Sequence, residues 1–124
     1  MSVEGNVIWF GASERPYRYQ VFSIDSEFES VDAVYLLTRK VGRNWRCVAI
    51  GKGNIDELNS YRTSAQRWID GVTHVHVRYT ASPISRLLQA NDIRVGLELR
   101  RIRRQDREPA RRTSDEAFVY VDQV

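Results

Sequence analysis

Few side chains in this 124-residue chain have the types and spacing for chemistry. His74 and His76 sit two residues apart, so a strand would turn both to one face. Such a pair can ligate a metal, but the sequence offers no third ligand, and hydrogen bonding on a polar sheet face is the plainer role. Cys47 follows Arg46, whose charge could lower a thiol pKa, yet its apolar surroundings suit a small buried hydrophobe. Asp25, Glu27 and Glu29 alternate without a partner base and read as solvated. Gly51-Lys52-Gly53-Asn54 leads into a helix start, where backbone amides favour anions and Lys52 could touch a phosphate. The segment lacks the lysine-then-hydroxyl ending of a P-loop, so no nucleotide cofactor is expected. Trp9, Tyr17, Tyr19, Trp45 and Trp68 could stack on bases, or could simply fill a core.

The strongest charge feature lies near the C-terminus. Eight arginines fall between Arg94 and Arg112, only partly offset by Glu98, Asp106 and Glu108, in a chain of net charge +3. Arginine suits bidentate contact with phosphate or carboxylate. The plainer reading is a solvated, flexible loop over 103–115, because charge runs are usually solvated, and a surface for phosphate or an acidic partner is the alternative. Arg100, Arg101, Arg103 and Arg104, with Lys52, Arg62 and Arg67, are the candidate contacts to nucleic acid or to a protein partner.

The patterning that must position these groups is mixed. Val7 to Phe10 and the alternating Tyr17 to Val21 read as a first hairpin around the Gly11–Pro16 turn. Ala33 to Thr38 is a continuous apolar strand, and Trp45 to Ile50 returns beside it. Asn54 is a helix N-cap with Glu57 at the capping-box position. Ile55, Leu58, Tyr61 or Arg62, Ala65 and Trp68/Ile69 then give one helix to Asp70, its apolar stripe on the sheet, stopped by Gly71. Thr73 to Tyr79 is a strand. Ser82-Pro83 opens a short second helix carrying Ile84, Leu87 and Leu88 to about Asn91 or Arg94. Beyond it, Val95, Leu97 and Leu99 alternate and Phe118 to Val121 is strand-like, so a second hairpin is expected. Its alternative is a helix running on through Gly96, at a cost of about 1 kcal/mol for that glycine.

The length suits one domain, 1–124, with a modest core and no staple. A single cysteine excludes an internal disulfide. Residues 1–5 lack the character of a signal peptide, and no apolar run approaches the roughly 18 residues of a membrane helix. A soluble cytoplasmic protein without a membrane partner is the expectation.

Ala33-Val34-Tyr35, Ala49-Ile50-Gly51, the Phe10–Ser13 start and the order of elements from Phe10 to Arg94 together resemble the GIY-YIG nuclease-like domain. The resemblance implies an α/β (α+β) fold: a small mixed, mostly antiparallel sheet flanked by two or more helices, with an N-terminal hairpin and a C-terminal strand or hairpin. In that family two tyrosines and a helix arginine face the scissile phosphate, and a glutamate on a later helix binds a divalent metal. Metal and arginine neutralise charge on the phosphoryl oxygens. Here Tyr35 matches the first tyrosine, and Ala49 replaces the second. The arginine position falls near Glu57 or Leu58, and the metal glutamate falls on Ala90. A shifted alignment would instead bring in Arg62 and Glu98.

The resemblance therefore implies a degenerate, catalytically inactive domain with a vestigial Tyr35 and no cofactor. Its first expected role is nucleic-acid binding. A protein-interaction module, as homodimer, inhibitor or adaptor, is the alternative. A metal-dependent endonuclease using magnesium or manganese with displaced groups ranks third.

Overall fold

The computed structural model describes residues 3–107 and 122–123, with side chains through Arg101. The sheet is antiparallel throughout its described pairings. Strands β1 (Asn6–Phe10), β2 (Pro16–Ser23), β3 (Asp32–Val41), β4 (Asn44–Asn54), β5 (His74–Tyr79) and the short β6 (Asp122–Gln123) lie in the order β4-β3-β5-β2-β1-β6. β1 and β2 form the expected hairpin, Phe10 opposite Pro16. β3 and β4 form a second, with a register shift between Leu37 and Thr38. β5 then enters between β3 and β2, pairing Tyr35 with Val77 and Val21 with His76. This is the expected fold class.

Burial explains why β3 reads as an unbroken apolar run. Ala33 to Leu37 are all buried because helices cover both faces of the sheet. One face carries Trp9, Tyr19, Val34 and Leu36 and is closed by Ala90 and Ile93 of helix α3 (Pro83–Arg107). The other carries Phe22, Tyr35, Leu37 and Val75. It is closed by a 3-10 turn over Ile55–Glu57, α1 (Leu58–Arg62), Val72 and Phe28. Each fully buried aliphatic side chain contributes about 1.5–3 kcal/mol.

Three expectations are corrected. The single helix from Ile55 to Asp70 is instead the 3-10 turn, α1 and α2 (Ala65–Asp70), interrupted at Thr63-Ser64. The Ser64 hydroxyl donates to the Tyr61 carbonyl at 2.7 Å and caps α2 by accepting from the Arg67 amide. Local hydroxyl bonds of this kind compete with helix continuation. The break changes which side faces inward: Arg67 is buried, while Trp68 and Ile69 are 71% and 77% exposed. Gly71 does end α2, at a φ of 69°.

The second helix is not short, and the segment after it is not a hairpin strand. α3 runs 25 residues, through Gly96 and into the arginine-rich segment. Leu97 packs on the core one turn after Ile93, so a helical period underlies the alternation of Val95, Leu97 and Leu99. Gly96 is no helix-breaking defect. A Cβ there would lie 2.8 Å from the Ala12 nitrogen and 2.9 Å from the Gly11 carbonyl carbon, so only glycine lets the 10–12 loop lie on the helix.

The third correction follows: residues 103–107 of the expected flexible loop continue α3. Residues 108–115 and the expected Phe118–Val121 strand lie outside the described residues. No helix among the described residues is long and apolar enough to cross a membrane.

Candidate functional site

Tyr35 stands in the middle of β3 on the α1 side of the sheet. Across from it on β4 is Gly51. A Cβ at 51 would come within 2.3 Å of the tyrosine ring, so the glycine makes the space the ring occupies. Asn54 caps the following turn through Asp56, as its sequence position suggests. That turn carries Glu57 back over the sheet, and the Tyr35 hydroxyl donates to the Glu57 carboxylate. Leu37, Ala49, Leu58 and Tyr61 complete a mostly apolar recess of about 380 Å³. The Tyr61 hydroxyl donates to Asp70 at 2.7 Å; burial first, then this bond, raise its pKa.

The recess thus holds a phenol and a carboxylate. It brings together Tyr35, Ala49 and Glu57, and no cation is among the described residues that line it. Arg62 points elsewhere, donating to the carbonyls of Asp25 and Ser26 at 3.1 Å each. Glu98 lies on α3, across the sheet from Tyr35, and pairs with Arg101 at 2.9 Å. Ala90 is buried on the side of α3 that packs on the sheet. No group of three or more potential metal-ligating side chains occurs among the described residues.

The candidate contact arginines are divided by the sheet. Arg67 donates to the Val72 carbonyl and stacks over Trp68 at 3.9 Å. Arg100 donates to the Phe10 carbonyl at 2.6 Å. Arg62 and Arg67 belong to the α1 and α2 layer, whereas Arg100 and Arg101 belong to α3. Arg103 and Arg104 continue that helix. Lys52 is exposed near the end of the edge strand β4.

His76 takes the hydrogen-bonding role. It is fully buried, and its Nδ1 accepts from the Trp9 indole at 2.9 Å, which places the imidazole proton on Nε2. Trp45 meets its ring edge-to-face at 4.5 Å. Burial, then the neighbouring His74, lower its pKa to about 3, so it is neutral. His74 lies beside Glu4 at 3.3 Å. Cys47 is partly buried against the core, and burial pushes its thiol up to about 12, the opposite of an activated nucleophile.

One constellation escaped the sequence reading. Asp92 accepts from the Ser13 amide at 2.9 Å, the Ser13 hydroxyl at 2.5 Å and the Tyr17 hydroxyl at 2.7 Å. Partial burial alone would raise its pKa, but the Ser13 and Tyr17 bonds hold it below the usual range. Asp92, Gly96 and Arg100 follow one another at four-residue steps, so one side of α3 clamps the Phe10–Ser13 loop. That spacing was the available signal.

Comparisons with protein-family models, with curated proteins and with solved structures find no match.

Proposed function

We propose that this protein is a non-catalytic binding module on a GIY-YIG-like scaffold, and that its partner is protein. The observation that carries this is apolar surface turned to solvent on helices of both layers. Trp68 and Ile69 on α2 are 71% and 77% exposed, and Ile84 and Leu88 on α3 are 71% and 63% exposed. Contiguous exposed apolar patches mark interaction surfaces. The recess at Tyr35 supports the non-catalytic part, because Glu57 sets an acid where a cutting site needs a cation.

A second reading, nucleic-acid binding, draws on one specific feature. Positions 100, 103, 104 and 107 are all arginine and fall at i, i+3, i+4 and i+7 along α3, one side of the helix.

Fluorescence anisotropy with single- and double-stranded DNA and RNA, across a salt series with magnesium or manganese, separates the two. The protein-binding reading expects intact probes and no saturable binding at low salt. Micromolar binding that weakens steeply with salt would overturn it in favour of the arginine surface, since each phosphate contact releases counterions. Metal-dependent loss of the probes, abolished by Tyr35→Phe, would revive a nuclease.

A further inference from the structure

The recess at Tyr35 combines apolar walls with a single charge. Leu37, Ala49 and Leu58 line it together with Tyr35 and Tyr61, and the Glu57 carboxylate is the one charged group among the described residues of the lining. Its volume of about 380 Å³ is that of a site able to enclose a small group. Ala49 and Glu57 are exposed, so a partner can reach it. Among the described residues Glu57 makes no ion pair. Two cations of this layer are directed elsewhere: Arg62 donates to the Asp25 and Ser26 carbonyls, and the Arg39 guanidinium lies beside Gly71.

We propose that this recess takes the ammonium group of a lysine side chain presented by a partner protein. This rests on the protein-binding reading above and names the group that the partner must supply.

Charge selects a cation. A carboxylate without a cationic partner gains from a charge-assisted hydrogen bond, and tyrosine rings attract cations as well. The same carboxylate repels phosphate. Geometry then selects ammonium over guanidinium. The Tyr35 hydroxyl already donates to one Glu57 oxygen, Oε1. The two carboxylate oxygens are therefore not both free for the planar fork of a guanidinium, whereas the other oxygen suits a point donor. The aliphatic walls suit a lysine stem, whose four carbons are apolar up to the charged end. A single side chain of this kind should bind with a Kd on the order of 1–10 mM, as one anchor of a larger contact.

The test titrates the isotope-labelled full chain with lysine blocked at both backbone ends, and follows backbone amide shifts by NMR. Saturable shifts centred on Gly51, Glu57 and Tyr61 are expected. Blocked norleucine, which has the stem without the charge, and blocked arginine should each bind about fivefold more weakly or worse. Glu57→Gln keeps an acceptor for the Tyr35 hydroxyl. It should weaken lysine binding by about fivefold or more while shifts outside the recess stay as in the wild type. No saturable shift at the recess, even well above the expected Kd, overturns the proposal. Equal binding of norleucine, or no effect of Glu57→Gln, overturns the role of charge. Arginine binding as tightly as lysine overturns the choice of ammonium. Shifts with n-butylammonium but none with blocked lysine would assign the recess to a free amine and overturn the protein source. If lysine fails and DNA and RNA also stay unbound, only the assignment of the recess fails. If DNA or RNA binds with a steep salt slope, the protein-binding reading fails, and a protein source for the lysine fails with it.

Discussion

The two helical layers solve the same problem differently. α3 covers its face of the sheet with one continuous 25-residue helix, fastened to the 10–13 loop through Asp92, Gly96 and Arg100. The opposite face is covered piecemeal, by a 3-10 turn, α1, the Phe28 loop and Val72. α2 adds little there, because Ser64 has turned its Trp68 and Ile69 outward. The contrast teaches that an apolar helical period marks residues that must leave water, but not the surface that covers them. On α3 the period is doubled, and one copy of the sheet satisfies only one of its sides.

The contrast can be broken most strongly at the inner side of α3. Ile93→Ala, at a fully buried site, should lower unfolding stability by about 2–5 kcal/mol in urea titration, whereas Ile69→Ala should stay within about 0.5 kcal/mol. Equal losses at the two sites would refute the asymmetry between the layers. Gly96→Ala comes next. It replaces a residue of poor helix propensity, yet its Cβ would meet backbone atoms of the 10–12 loop, so a loss of about 1–3 kcal/mol is expected by thermal unfolding. A gain would mean that the loop does not lie on the helix.

Acid should act through the α3 face. The folded pKa of His76 is lowered to about 3 from an unfolded value of about 6.5. Between these limits the unfolded chain binds the extra proton. His76 therefore removes stability as pH falls through that window, by at most about 1.4 kcal/mol per pH unit. His76→Gln should flatten this part of the pH profile while keeping an acceptor for Trp9. An unchanged profile would count against a buried neutral imidazole. The smallest effect belongs to the broken layer: Ser64→Ala removes a cap and should cost about 1 kcal/mol. A gain in helix content there would show that Ser64 alone keeps α1 and α2 apart.

The hairpins, the buried β3 and the caps at Asn54 and Ser82 were legible because their signals are local. Tyr35 and Ala49 stand on adjacent strands, and the short turn after β4 brings Glu57 to them. Glu57 was read as a capping-box acid, but its carboxylate serves Tyr35. The destinations of Arg62, Arg67 and Arg100 were not legible. A long cationic side chain can reach any carbonyl within its span, and its sequence neighbours do not say which.

By itself, then, the sequence determined where chain must be extended, where it turns and which residues leave water, because backbone preference and side-chain polarity act over a few residues. Tertiary structure decided that Gly96 continues a helix, because the reason for a glycine there is a loop more than eighty residues earlier in the chain. It decided that His76 is a neutral acceptor, because Trp9 and Trp45 come to it from other strands. And it decided which side of α3 stays in water, because a helix with two apolar sides can lay only one of them on a single sheet.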